Sequence, residues 1–164
     1  MKIRLAKQDD LEGMVEIYNQ AIRAGKCTAD TVPFSVNERQ GWFESHSAEK
    51  FPLFVAKEKG ELLGYLTLSP YRENRKAVQH TAEVSYYIHY AHHRKGVASH
   101  LMHHAITACP SLKINNLIAI LVGCNQASIQ FLEKNGFKQW GCFPNIVEFG
   151  EDKIDHLYYG LCLN

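Results

Sequence analysis

The sequence has no C-x-x-C pair, no long apolar run and almost no net charge. Each gap argues against a class of protein. Its five cysteines, at positions 27, 109, 124, 142 and 162, are odd in number and scattered, which favours reduced thiols over a disulfide framework. No segment approaches the ~18 uninterrupted apolar residues of a membrane-crossing helix. The opening "MKIRLAKQDD" also lacks an apolar signal region. The expectation is a cytoplasmic protein with no membrane partner. A formal net charge of +1 argues against nucleic-acid binding driven by bulk charge. No repeat, low-complexity tract or Pro/Gly/Ser-rich linker divides the chain. Its 164 residues therefore read as one domain, 1–164, long enough to bury a core.

What is present is a 46% hydrophobic, 21% charged chain of globular composition, with alternating strand-like and helix-like segments. Met1–Ala6 alternates as a strand. Asp9 or Asp10 can cap a helix whose apolar face carries Leu11, Met14, Val15, Tyr18 and Ile22. "SVNE" (Ser35 to Glu38) is a capping box opening a helix through Trp42 and Phe43. Leu53–Glu58 and Glu61–Ser69 flank the hairpin signal Lys59-Gly60, and a polar connection with Arg72, Arg75 and Lys76 follows to His80. "AEVSYYI" (Ala82 to Ile88) has the β-branched and aromatic content of a central strand. Gly96 to Cys109 shows helical spacing, and Pro110 helps to stop it. "LIAILV" (Leu117 to Val122) reads as a strand buried on both faces, and Ala127–Lys134 as a short helix ended by Asn135-Gly136. Phe137–Phe143 and Ile154–Leu163 read as two closing strands around Gly150-Glu151-Asp152. The fold class is α/β, a mixed sheet of six or seven strands flanked by about four helices.

The segment "HHRKGVAS" (His92 to Ser99) joins the central strand to the helix that follows. A glycine-bearing turn entering a helix presents unpaired N–H groups and the positive end of the helix dipole, which suits a phosphate. The small residues Gly96 and Ala98 allow close backbone approach, and Arg94 and Lys95 add positive charge. Alone, such a turn is more often a tight connection. Further on, "GCNQASIQFLEKNGF" (Gly123 to Phe137) sets an Asn at the end of the buried strand, then a short helix and a Gly-Phe pair.

With these residues the chain resembles the GNAT N-acetyltransferase superfamily, whose loop pattern is Gln/Arg-x-x-Gly-x-Gly/Ala. His93-Arg94-Lys95-Gly96-Val97-Ala98 fits it, with His93 in place of the usual Gln or Arg. Within that superfamily it is similar to the branch of phosphinothricin and methionine sulfone/sulfoximine acetyltransferases. The matching segments are Ile17-Tyr18-Asn19, "DTVPFSVNERQGW", Pro70-Tyr71-Arg72 and Thr81-Ala82-Glu83 followed by "VSYYI".

The resemblance implies acetyl-CoA as co-substrate, a small-molecule amine as acceptor, attack in a ternary complex and a homodimer. It implies that the backbone of Tyr86, Tyr87 and Ile88 pairs with the pantetheine arm. Arg94, Lys95, Gly96, Val97, Ala98 and Ser99 would wrap the diphosphate, and Asn125 would bond the cofactor near its thiol end. Glu83 is the expected general base, its partly apolar setting raising its pKa towards the working range; the alternative is a solvated Glu on a strand face. Arg72 and Arg75 are expected to grip a substrate carboxylate or to form a solvated basic loop.

Two positions depart from the branch. Leu132 stands where members carry a Tyr or His that can protonate the departing thiolate, and Ala29 stands where a Phe walls the acceptor pocket. The competing functions are an acetyltransferase for a protein N-terminus or a polyamine, and a CoA-binding module without turnover. No metal is expected: His100 and His104 share a helix face with His103, but no carboxylate or thiolate partner is evident there. Cys124 is expected as a buried, inert thiol rather than a nucleophile.

Overall fold

Two positive-φ residues build the first hairpin. Lys59 (φ 49°) and Gly60 (φ 89°) give the turn geometry that matches strand twist, joining β2 (Leu53–Glu58) to β3 (Glu61–Pro70). In this computed structural model, which describes residues 1–163, β1 (Lys2–Leu5) adds antiparallel to β2. On the other side, β4 (Thr81–Ile88) adds antiparallel to β3, which places it fourth of seven strands. The sheet order is β1-β2-β3-β4-β5-β7-β6, and its one parallel pair is β4 with β5 (Asn116–Val122). A parallel pair needs a crossover, and α3 (Val97–Ala108) supplies it. β7 (Asp152–Cys162) inserts antiparallel between β5 and β6 (Lys138–Phe149). The closing strands run longer than their apolar patterns, with breaks in register between Gln139 and Gly141 and between Phe143 and Val147. Polar and proline residues sit there without ending the strand, because β6 is an outer strand with one free edge.

The alternation of side chains sorts two layers. Helices α1 (Leu11–Ala24) and α2 (Val36–Glu44) cover one face. There Met14, Ile17, Leu53, Val55 and Tyr65 form a cluster with Trp42, Phe43 and Tyr87 at its border. On the other face Phe54, Leu66, Leu68 and Val84 meet Leu101 and Met102 of α3 and Leu132 of α4 (Gln126–Lys134). The capping box at α2 is present: Ser35 N–H donates to Glu38 Oε2 at 2.7 Å, and Glu38 N–H to Ser35 Oγ at 3.4 Å.

Asp10 precedes α1, but its side chain makes no cap bond to that helix. Its carboxylate, almost wholly buried, accepts from Arg4 at 2.6 and 2.9 Å, from Lys7 N–H at 2.8 Å and from Lys57 at 3.1 Å. Two cations and a backbone amide outcompete the weaker helix cap. No helix is long and apolar enough to cross a membrane among the described residues. All five cysteines are free; Cys109 is buried, while Cys124, against expectation, is exposed because it lies past the end of β5.

Candidate active site

Pairing between β4 and β5 covers only Thr81, Ala82 and Glu83, opposite Asn116, Leu117 and Ile118. Beyond Glu83 the two strands part. Ser85 to Ile88 keep their β3 partners, Thr67 to Gly64, so their opposite backbone edge faces a gap between β4 and β5. Such an edge can hydrogen-bond an extended ligand as an added strand. Tyr86, Tyr87 and Ile88 all lie along it.

Period-two alternation aims Glu83, Ser85 and Tyr87 at the α1/α2 side, opposite Ser69, Thr67 and Tyr65 of β3. These residues line a cleft of about 430 Å³ with Tyr18, Ala29, Arg39 and Trp42, and Ile120 and His156 close it from β5 and β7. Burial pushes the Glu83 carboxyl above the ordinary carboxylate range, and the Ser85 hydroxyl pulls weakly the other way. Among the described residues no cation pairs with Glu83. A carboxyl so placed is suited to take a proton near neutral pH.

Arg39 is the charged residue that sequence reasoning left without a role. Its guanidinium stacks 4.0 Å from the Trp42 ring centroid and 5.2 Å from those of Tyr18 and Phe34. No carboxylate pairs with it among the described residues. The signal was its place three residues before Trp42 in "ERQGW", which puts both side chains on one helix face. The wall beside it is aromatic: Tyr87 meets Tyr18 edge-on at 4.6 Å and Tyr65 at 5.5 Å. The Tyr18 hydroxyl bonds Asp30 and, at 3.0 Å, Thr28, which ties the Ala29 loop to α1. With Ala29 rather than a bulky side chain there, the cleft stays wide on that side.

Arg72 and Arg75 do not join Glu83. They line an adjoining cavity of about 770 Å³ with Lys50, Lys76 and His46, and the two cavities share only Trp42 and Ser69 in their walls. His46 stands at that partition. Its Nδ1–H donates to Trp42 O at 2.8 Å, so Nε2 accepts from Ser69 Oγ at 3.1 Å; burial lowers its pKa and keeps it neutral.

On the far side of the sheet, Gly96 (φ 80°) caps α3 in the left-handed region. A side chain built on it would meet only the His100 imidazole, at 3.6 Å, so space is left at the helix N-terminus. Arg94 also has positive φ, 59°. His93 Nε2–H donates to Ile88 O at 2.9 Å and ties this loop to the end of β4. Arg94, Lys95 and Ser99 are exposed, and Ala98 is half-exposed. Only Val97, at 3% exposure, turns into the core, leaving its backbone alone for binding.

Asn125 caps α4: its Oδ1 accepts from Ser128 N–H at 3.2 Å. Its amide NH₂ has no partner among the described residues. Leu132 lies in the core at 1% exposure. The histidines of α3 have other duties: His100 Nδ1–H donates to Gly96 O at 2.8 Å, and His104 packs edge-on against Phe54. Among the described residues no three His, Cys, Asp or Glu side chains gather as a metal site.

The parted strands leave a free edge on β4, and the loop that follows ends in an open left-handed turn at a helix N-terminus, which suits an anion. The sequence pattern of the acetyltransferase (GNAT) family matches residues 12–137. The chain is 40% identical over 156 residues, 94% of each chain, to YwnH of Bacillus subtilis (strain 168), provisionally named as a phosphinothricin acetyltransferase. It is 28% identical to the L-methionine sulfoximine/L-methionine sulfone acetyltransferase of Salmonella typhimurium, covering 92% of this chain and 88% of that one. A phosphinothricin acetyltransferase from Sinorhizobium meliloti, solved with acetyl-CoA, superposes with a TM-score of 0.92 over 99% of this chain and 88% of its own, at 26% identity. The chain belongs to the acetyltransferase (GNAT) family and is an acetyl-CoA-dependent N-acetyltransferase.

Proposed function

We propose that the acceptor is the primary amine of a small amino-acid-like molecule, of the phosphinothricin or methionine sulfone/sulfoximine type, attacking directly with both substrates bound. The observation that carries this reading is the content of one cleft: a base-like carboxyl, Glu83, and an unpaired guanidinium, Arg39. A molecule bearing an amine and a carboxylate satisfies both. Arg39 offers its carboxylate two parallel hydrogen bonds, and the aromatic wall of Tyr18, Trp42 and Tyr87 supports its apolar stem.

An amine near neutral pH is mostly protonated and cannot attack, so Glu83 takes the proton directly or through a water. Acetyl-CoA, when bound, supplies an acetyl group activated as a thioester. The gap-facing backbone of Tyr86, Tyr87 and Ile88 holds the donor in register, and an N–H of that edge supports the oxyanion. Arg94 to Ser99 receive the diphosphate through backbone amides and two mobile cations. The free amide of Asn125 fixes the thiol end. Arg72 and Arg75 take an outer role in this reading, attracting anionic substrates to the adjoining cavity rather than clamping the inner carboxylate. A polyamine fits poorly, since Arg39 would repel it.

A homodimer belongs to the same reading. It is supported by the outer strand β6, which exposes Trp140, Phe143 and Ile146, an apolar edge that favours covering. The free cysteines suit a cytoplasmic setting.

The experiment is thiol release from acetyl-CoA across an amine panel: methionine sulfone, methionine sulfoximine, phosphinothricin, their decarboxylated counterparts, a polyamine and an N-terminal peptide. Release with the carboxylate-bearing amines and little with the rest is expected. Preference for the polyamine or the peptide, or no release with any amine despite CoA binding, would overturn the assignment.

A further inference from the structure

Transfer of an acetyl group leaves a sulfur anion behind, and position 132 offers it nothing: Leu132 is a buried core residue without a donor. One turn earlier on the same helix face stands Ser128, and its Oγ lies 2.5 Å from the hydroxyl of Tyr86 on β4. Glu83, Ser85 and Tyr87 point to the acceptor cleft, so Tyr86 points the other way, over α4. There its ring packs against Phe131 at 4.8 Å. The Tyr86–Ser128 bond therefore bridges the two banks of the gap, three residues along from both Glu83 and Asn125.

We propose that the Tyr86 hydroxyl, backed by Ser128, is the hydrogen-bond donor to the sulfur of the departing CoA. The inference rests on the reading that the acyl donor lies in the gap between β4 and β5. Two features favour it over a packing role. The Tyr86 hydroxyl finds its partner on α4, across from β4, rather than in the core beneath its ring. Ser128 is also held for the task, its backbone N–H bonded to Asn125 Oδ1 at 3.2 Å. In the working polarity Ser128 O–H donates to Tyr86 Oη, and Tyr86 O–H is free to point at sulfur.

The balance is simple. Glu83 passes the ammonium proton on to water; the neutral amine nitrogen then forms the new C–N bond and gives its second proton to Glu83, while the C–S bond breaks and its electron pair stays on sulfur. Tyr86 stabilises that anion by its hydrogen bond. The sulfur takes its final proton from water. Burial pushes the Tyr86 hydroxyl up to about 12, so it stays protonated and remains a donor throughout the working range.

Tyr86→Phe keeps the ring against Phe131 and removes only the donor. In its CoA complex, absorbance titration of the thiolate should show the bound thiol pKa raised by about one unit relative to wild type. Turnover should fall about tenfold, with KM for the amine unchanged, in a protein of unaltered melting temperature. Unchanged bound-thiol pKa and turnover would reduce Tyr86 to packing and overturn the proposal. A second variant separates that failure from failure of the underlying reading. Gly96→Glu fills the diphosphate's space, so undiminished CoA affinity by calorimetry in that folded variant would remove the cofactor from this gap and the proposal with it.

Discussion

Arg39 carries a positive charge into a cleft walled by aromatic rings, with no carboxylate to neutralise it among the described residues. Its replacement is the sharpest residue-level test of substrate class. Arg39→Gln should raise KM for a carboxylate-bearing amine by tenfold or more, the order expected for a lost charge-assisted contact, with kcat little changed. The decarboxylated amine should be indifferent to the change, and equal losses for both would place Arg39 in packing alone. Glu83 is tested through pH. Its raised pKa means the base is available only above that value, so wild-type turnover should climb as pH rises through it. Glu83→Gln should lower turnover roughly a hundredfold at neutral pH and leave acetyl-CoA affinity alone. The deficit should shrink at higher pH, where the amine arrives deprotonated. Near-normal turnover in this variant would leave Glu83 without a part in proton transfer.

At the scale of elements, Asp10 ties β1, β2 and the start of α1 together. Burial alone would raise its pKa, but Arg4, the Lys7 amide and Lys57 overcome that and hold it at about 2. The folded value lies below the unfolded one, near 3.9. Its contribution to stability, about 2 kcal/mol, is therefore complete above pH ~4 and is lost as pH falls through about 2. Asp10→Asn should lose about that much at neutral pH in urea unfolding and flatten the acid limb; an unchanged acid limb would discount the network.

Asp10 also marks where sequence reading stopped. Its neighbourhood before an apolar helical face says "cap", because the two cations it meets come from other strands. The helical face of α1, the capping box at Ser35, the Lys59-Gly60 hairpin and the strand of Glu83 were all legible, since each depends on local chemistry or periodicity. The parting of β4 from β5 after Glu83 was not, because alternation fixes a side chain's face but not its strand's neighbour. Nor does position in the sequence show that Arg72 and Arg75 line the adjoining cavity, while Arg39, unassigned, lines the same cleft as Glu83.

Of the two outer strands of the sheet, β1 and β6, the second carries the larger exposed apolar side chains. β6 ends the sheet with Trp140, Phe143 and Ile146 at 48%, 49% and 57% exposure, and an apolar outer strand of this kind favours a second copy over solvent. Light scattering at working concentration should give twice the chain mass, and Phe143→Lys should shift it towards the monomer; a monomeric wild type would remove the dimer.

In the proposed mechanism amine, Glu83 and thioester meet at one gap in the sheet, and transfer is direct. Initial rates measured with both substrates varied, together with the intact mass of enzyme mixed with acetyl-CoA alone, test it most directly. Direct transfer predicts intersecting double-reciprocal lines and an unmodified protein mass. Parallel lines with an acetyl adduct on the chain, the signature of a covalent intermediate that the exposed Cys124 would be first to explain, would contradict it.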